Sequence, residues 1–306
     1  MKKILLGILF ATTGISALAK ETVTLVYAFG PADNMANYSR TLVAEANRIQ
    51  NKYTFVFDTK PGAGNSVAAN HVKNAPNAIL ATSSAFFIRP IFYPNESYNP
   101  DHFKILMPQA ETPMGVASFK YRSWKEVPTD RPVTIGTSGL GVTTHLVALQ
   151  ISSKFSNLTV VPFKSPSDAI IAAAGGQIDM TVGFLKDLMS WTSADVNVER
   201  RMTVLGVTGT KTINGVSTLS SQGFPLTLSA MNAPQMLLVP VTVTDSKFSD
   251  WRDILVRAAR AKPIQDSYAF DHAIPLDTMS NDSIQPWFSK QEAQWKKLTS
   301  GVKLEK

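Results

Sequence analysis

The chain has 306 residues and no cysteine; 44% are hydrophobic, and 30 Lys and Arg against 23 Asp and Glu give a formal charge of +7. That length suits about two domains, and the apolar share excludes wholesale disorder. The lack of cysteine excludes a disulfide scaffold, a thiolate zinc site, an iron–sulfur cluster and a cysteine nucleophile, and the dispersed basic residues (Arg200-Arg201, Lys296-Lys297 and Arg257/Arg260 come nearest to clusters) argue against nucleic acid.

In chain order, Lys2 and Lys3 precede an uncharged run from Ile4 to Ile15 and then Ser16-Ala17-Leu18-Ala19, the layout of a secretory signal peptide. Removal of residues 1–19, two lysines among them, would leave 287 residues at +5. No later uncharged apolar stretch approaches the roughly 18 residues of a membrane span. The expected mature protein is therefore exported, soluble and, without a cysteine, untethered by lipid. Downstream, short β-rich runs alternate with helical patterns, which predicts α/β architecture with largely parallel sheets. Strands are expected at Val23–Ala28, Tyr53–Phe57, Ala78–Thr82, Ile105–Met107, Gly115–Phe119, Val133–Gly136, Leu158–Pro162, Ile178–Val182, Met202–Val207 and Met236–Val243. Helices are expected at Met35–Ile49, from Val67, and across Leu146–Phe155, Asp168–Ala174, Trp251–Ala261 and Ile284–Leu298, the last two separated by a polar turn region. No internal repeat or flexible linker breaks the pattern.

Three strands end in small-residue turns that feed directly into helices: Phe29-Gly30-Pro31-Ala32-Asp33-Asn34, Pro61-Gly62-Ala63-Gly64-Asn65-Ser66 and Thr137-Ser138-Gly139-Leu140-Gly141-Val142-Thr143-Thr144. Each leaves unpaired helix N–H groups, and the positive end of a helix dipole, beside backbone with little side-chain bulk. A carboxylate or phosphate can approach such backbone closely, while capping alone also explains any one turn. None is a nucleotide-binding loop: no Gly-Lys-Ser/Thr follows, and Val67 stands where G-x-G-x-x-G needs its last glycine.

At these turns the sequence resembles the solute-binding subunits of tripartite tricarboxylate transporters, the Bug-type periplasmic proteins. The resemblance rests on Gly30, Asp33 and Ala36 of the first turn; on Pro61-Gly62-Ala63-Gly64-Asn65 with Ala68 and Val72; and on Ser138, Gly139, Gly141, His145 and Leu146 of a Ser-x-Gly-x-Gly-x-x-x-His-Leu signature. Val161-Pro162-Phe163-Lys164, Gly176-Gln177-Ile178-Asp179 and Gln285-Pro286-Trp287-Phe288 with Glu292 and Trp295 extend it over nearly the whole mature chain. The chain diverges at Phe29, Asn37, Asn65, Pro76-Asn77-Ala78-Ile79 and Gly183. The resemblance implies a type II periplasmic-binding-protein fold, with residues 20–118 and 236–306 in one lobe, 119–235 in the other, and a ligand cleft between. It also implies a monomer that binds a small carboxylate (a di- or tricarboxylate, an aromatic acid or an acidic amino acid) and delivers it to membrane permease subunits.

Turns and resemblance together nominate as ligand contacts Phe29, Gly30, Pro31, Ala32 and Asp33; Ala63, Gly64, Asn65 and Ser66; Ser83 and Ser84; Thr137, Ser138, Gly141, Val142, Thr143, Thr144 and His145; and Gly183 and Phe184. His145 either orients its loop or touches ligand. Asp33 either caps the following helix or binds an amine. Phe29, Phe86, Phe87, Phe184 and Trp191 either wall the cleft or fill the core. No catalytic or metal-binding residue is nominated, and no cofactor: His71, His102, His145 and His272 form no metal spacing, and Ser138 lacks the second glycine of a nucleophile elbow. A sensory binding protein presenting ligand to a membrane receptor, or an exported hydrolase using the same cleft, remain the alternatives.

Overall fold

The computed structural model describes residues 20–193, 201–270, 273–277 and 279–302; the expected leader, Arg200 and His272 lie outside them. Two sheets form, each surrounding a parallel trio. In the first, β1 (Glu21–Tyr27) pairs in parallel with β2 (Tyr53–Thr59) and β3 (Ala78–Ser83), while β10 (Ala233–Pro240) runs antiparallel between β3 and β4 (Phe103–Thr112). The order is β11-β4-β10-β3-β1-β2, with β11 being the short Ile274–Pro275. In the second, β6 (Val133–Thr137) pairs in parallel with β7 (Leu158–Pro162) and β8 (Met180–Phe184), and β5 (Met114–Ser118) runs antiparallel between β8 and β9 (Thr203–Val207). That order is β7-β6-β8-β5-β9.

The sheets are thus mixed rather than largely parallel, for one topological reason. In each sheet the strand that has just arrived from the other, β10 or β5, runs antiparallel to the trio; the two-residue β11 also runs antiparallel, to β4. Met114–Ser118 thus pairs within the second sheet, and residues 233–235 within the first. The outward crossing needs only Pro113, whereas the return runs through 208–232. The two crossings touch, since the Met114 amide donates to Thr208 Oγ1 and the Thr208 amide donates to the Met114 carbonyl, both at 2.9 Å.

Burial explains the sequence patterns. Central strands β3 and β10 are buried along their whole length, which requires continuous apolar runs rather than alternation. Helix α1 (Asn34–Ile49) buries Met35, Leu42, Val43 and Ala46, and α9 (Asn281–Thr299) buries Ile284, Phe288, Gln291 and Trp295, stripes at helical spacing. Helix α2 (Ser66–Lys73) and α3 (Ala85–Phe92) follow β2 and β3; α4 (Thr143–Ser152), α5 (Pro166–Ala174) and α6 (Leu185–Met189) follow β6, β7 and β8. The expected polar turn region before α9 holds a further helix, α8 (Lys262–Phe270), after α7 (Asp245–Ala259). Phe86 and Phe87 are core residues: Phe86 packs against Tyr98, Phe103 and Phe288 at 5.2–6.4 Å between ring centroids. Trp191 packs edge-on against Phe119. Among the described residues, no helix is long and apolar enough to cross a membrane.

Candidate functional site

The turns after β1, β2 and β3 meet those after β6 and β7, and the glycines are where they touch. A Cβ on Gly64 would lie 2.7 Å from Val142 Cγ1 and 3.4 Å from the Leu140 carbonyl oxygen; one on Gly30 would lie 3.1 Å from Ser165 Cβ; one on Gly141 would lie 3.0 Å from Tyr93. Each of these contacts joins an element of one sheet to an element of the other. Gly64 and Gly141 also have φ of +58° and +66°, where side chains are strained. The missing side chains therefore serve apposition of the two halves.

Two helix N-termini face each other across this junction. Helices α3 and α4 both begin without a side-chain cap, and the Ser84 and Thr143 hydroxyls at those starts hydrogen-bond directly. Phe29, Ser83, Ala85, Met114, Ser138, Val142, Thr143, Thr144, Pro166 and Phe184 surround about 10 Å³ of free volume there. The Ser138 amide donates to Thr144 Oγ1 at 2.9 Å, the Thr137 hydroxyl donates to the Gly139 carbonyl at 3.1 Å, and the Gly141 amide donates to His145 Nδ1 at 3.1 Å. His145 is thus the anchor of its loop. Burial lowers its pKa from 6.5 to about 4, so the ring is neutral at pH 7 and accepts that proton.

Asp33 behaves differently from a cap. It precedes α1 but makes no side-chain cap bond there; its buried carboxylate instead accepts from the Ser167 hydroxyl in the first turn of α5. Burial, only partly offset by the Ser167 and Gly30 hydrogen bonds, raises its pKa from 3.8 to about 6. The protein thus places its own carboxylate at the α5 N-terminus, while the α3 and α4 N-termini meet through hydroxyls.

Other nominated residues fall elsewhere. Asn65 lies beneath its turn at φ +103°, with Nδ2 donating to Tyr98 at 3.2 Å and Oδ1 accepting from Thr82. Ser66 is buried beside it, its hydroxyl unpartnered. Gly183 does not line the small cavity: a Cβ there would lie 3.3 Å from Leu188 Cδ2. Pro31 and Ala32 are exposed. Ala63 and Gly64 open instead onto an outer groove of about 750 Å³, with Gly62, Arg89, Tyr93, Ser138, Gly139, Leu140, Pro162, Phe163, Lys164 and Asp168. Sequence reasoning nominated neither Arg89 nor Tyr93, and it used Phe163 and Lys164 only as marks of resemblance. Arg89 pairs with Glu96 at 2.7 Å and donates across the junction to the Leu140 carbonyl at 3.1 Å. Among the described residues, no group of three or more His, Asp or Glu could hold a metal ion.

No protein-family model matches the chain, and no curated protein matches it in sequence. Solved structures do match. A structure described as a periplasmic transporter has 19% identity and a TM-score of 0.81, covering 94% of this chain and 100% of its own. The periplasmic binding protein BugD has 19% identity and a TM-score of 0.81, with 92% and 97% covered. An R. palustris protein with adipate has 18% identity and a TM-score of 0.79, again with 92% and 97% covered. Likeness at these identities establishes the fold, and with an antiparallel crossing strand beside each parallel trio the chain has the two-lobed α/β architecture of type II periplasmic binding proteins.

Proposed function

We propose that this is an extracytoplasmic solute-binding protein that holds a small carboxylate between its lobes for a membrane transporter of the tripartite tricarboxylate type. The observation that carries this reading is the pair of uncapped N-termini of α3 and α4 facing each other across the lobes. Two positive helix ends at close range favour an anion between them. A ligand carboxylate would take the place of the Ser84–Thr143 contact, accepting from both hydroxyls and from first-turn amides. Charge-assisted bonds of this kind contribute about 1.5–3 kcal/mol each, so a few of them, less the cost of association, reach micromolar affinity. The adipate found with the R. palustris relative supports the ligand class. We divide the lobes at Pro113 and within 208–232, where the crossings lie side by side and can act as a hinge.

The hydrolase alternative needs a hydroxyl activated by a base. Here Ser138 Oγ meets Thr144 Oγ1 at 2.9 Å and His145 Nδ1 is occupied by the Gly141 amide, so neither is arranged as a nucleophile–base pair. A thermal-shift screen of dicarboxylates, tricarboxylates, aromatic acids and acidic amino acids tests the reading, since a saturating ligand raises the midpoint by mass action. Stabilisation by acids supports it; stabilisation by a neutral sugar or a metal alone overturns it. Co-purification with permease subunits rather than a sensor kinase separates transport from sensing.

A further inference from the structure

On α7, Arg252, Val256 and Arg260 recur every fourth residue and so share one face, with Asp253 and Arg257 beside them. That face and the start of α9 enclose a groove of about 600 Å³ over Ile105 of β4. The groove lies within the first lobe and includes none of the glycine-bearing turns. Its charges are unevenly matched. Arg257 is paired with Asp253 at 2.9 Å. Arg252 is half-buried, and burial lowers its pKa; its Nη1 donates to the Leu106 carbonyl at 2.9 Å, but among the described residues it has no carboxylate partner. Arg260 is exposed and, among the described residues, in no ion pair. Asp277 on the same wall is only 3% exposed: one carboxylate oxygen accepts from Gln265 Nε2 at 3.0 Å, and the other, Oδ1, has no partner among the described residues. Ile105, Phe248, Met279 and Ile284 add apolar surface.

We infer that this groove binds a phosphate ester of a small polyol, with the phosphate between Arg252 and Arg260 and a ligand hydroxyl donating to Asp277 Oδ1. The planar guanidinium fork matches phosphate, and a tetrahedral phosphate has oxygens enough to accept from two forks approaching from different directions. Arg252 and Arg260 stand about 12 Å apart along the α7 axis, a gap that two long side chains on one face can close. Ser280 and Asn281, at the N-terminal end of α9, add partial positive charge to the same groove. The buried acceptor and the apolar wall give the ester's hydroxyl and carbon body a place beside the anion. Because the groove is separate from the junction of the turns, this assignment does not depend on the carboxylate reading. A soluble polyol phosphate and the headgroup of phosphatidylglycerol share the required chemistry.

The test is calorimetric titration of glycerol 3-phosphate, and of propyl phosphate, which lacks the hydroxyls, on the wild type and on Arg252→Gln, Arg260→Gln and Lys125→Gln. The last removes an exposed charge from the second lobe. Glycerol 3-phosphate is expected to bind more tightly than propyl phosphate, about tenfold more weakly in Arg252→Gln, about two- to fivefold more weakly in Arg260→Gln, and unchanged in Lys125→Gln. The exposed Arg260 tests the site even where Arg252→Gln impairs folding. Co-sedimentation with phosphatidylglycerol vesicles but not phosphatidylcholine vesicles, lost in Arg260→Gln, assigns the phosphate to a lipid headgroup; binding of the soluble ester without vesicle binding assigns it to a free polyol phosphate. Binding of neither ester nor vesicle, propyl phosphate binding as tightly as glycerol 3-phosphate, or equal losses in Lys125→Gln and Arg260→Gln overturns the assignment.

Discussion

The two lobes use one plan, a parallel trio in 2-1-3 order with an antiparallel strand beside it, yet equivalent turns carry opposite chemistry. After the central strand of the first trio, the turn holds a buried acid, Asp33, whose pKa burial raises to about 6. After the central strand of the second, it holds hydroxyls and a buried neutral base, His145, whose pKa burial lowers to about 4. After the third strand of the first trio come Ser83 and Ser84; after that of the second come Phe184 and Leu185. The scaffold therefore decides where the turns meet, and each turn's side chains decide what the meeting place can hold. One lobe contributes a carboxylate to the other's α5, whereas the N-termini of α3 and α4 meet through the Ser84 and Thr143 hydroxyls, where the proposed anion would sit.

The largest effect is expected where the turns are stopped from meeting. Gly64→Ala puts a Cβ 2.7 Å from Val142 at φ +58°, so ligand affinity by calorimetry should fall more than about tenfold, with about 1–3 kcal/mol of backbone strain seen in denaturant melts. Adding Val142→Ala to that variant should recover part of the affinity. If it recovers none, contact between the turns is not what limits closure.

The buried acid and the buried base give stability opposite dependences on pH. The folded state holds the Asp33 proton up to about pH 6 and the unfolded state only to 3.8, so the folded state binds more protons in that window. Asp33 should therefore lower stability as pH rises from about 4 to 6, by about 2–3 kcal/mol, a slope missing from Asp33→Asn. His145 has the reverse sign. Its folded pKa of about 4 lies below the ordinary 6.5, so the unfolded state binds more protons and stability is lost as pH falls from about 6.5 to 4. His145→Gln should remove a loss of about 3 kcal/mol in that interval. Urea melts across pH for each variant against wild type check both signs.

A smaller effect is expected beneath the second turn. Asn65→Ala loses the bonds to Tyr98 and Thr82 and keeps a β-carbon at φ +103°, where alanine is less well tolerated than asparagine, for a cost of about 1–3 kcal/mol. Asn65→Gly should relieve only the backbone part, so equal losses in the two variants would assign the whole effect to the hydrogen bonds.

How much of this was readable in the chain depends on how local the cause is. The three turns stood out because glycine, a strand end and a helix start sit next to each other in sequence. Helix α3 did not: it is nearly all apolar, contains Pro90 and has no polar face to give a period. The antiparallel direction of β5 and β10 was invisible because strand pairing is long-range, and so the sequence pattern alone does not assign Met114–Ser118 to the second sheet. The outer groove draws Arg89 and Tyr93 from one lobe and Phe163 and Lys164 from the other, and no spacing rule joins such segments. Gly183 was nominated because it departs from the related pattern; a Cβ there would come within 3.3 Å of Leu188, a contact between residues of one lobe that no turn motif signals. Asp33 was recognised as important, but its partner Ser167 lies 134 residues away, so capping was the nearer expectation.

The central claim is that the facing ends of α3 and α4 hold a negative charge. Calorimetric titration of the tightest acid from the thermal screen, alongside its uncharged amide of the same shape, tests this most directly. The account predicts micromolar binding of the acid and at least about 100-fold weaker binding of the amide. Equal affinity for the two, or tighter binding of the amide, would contradict it.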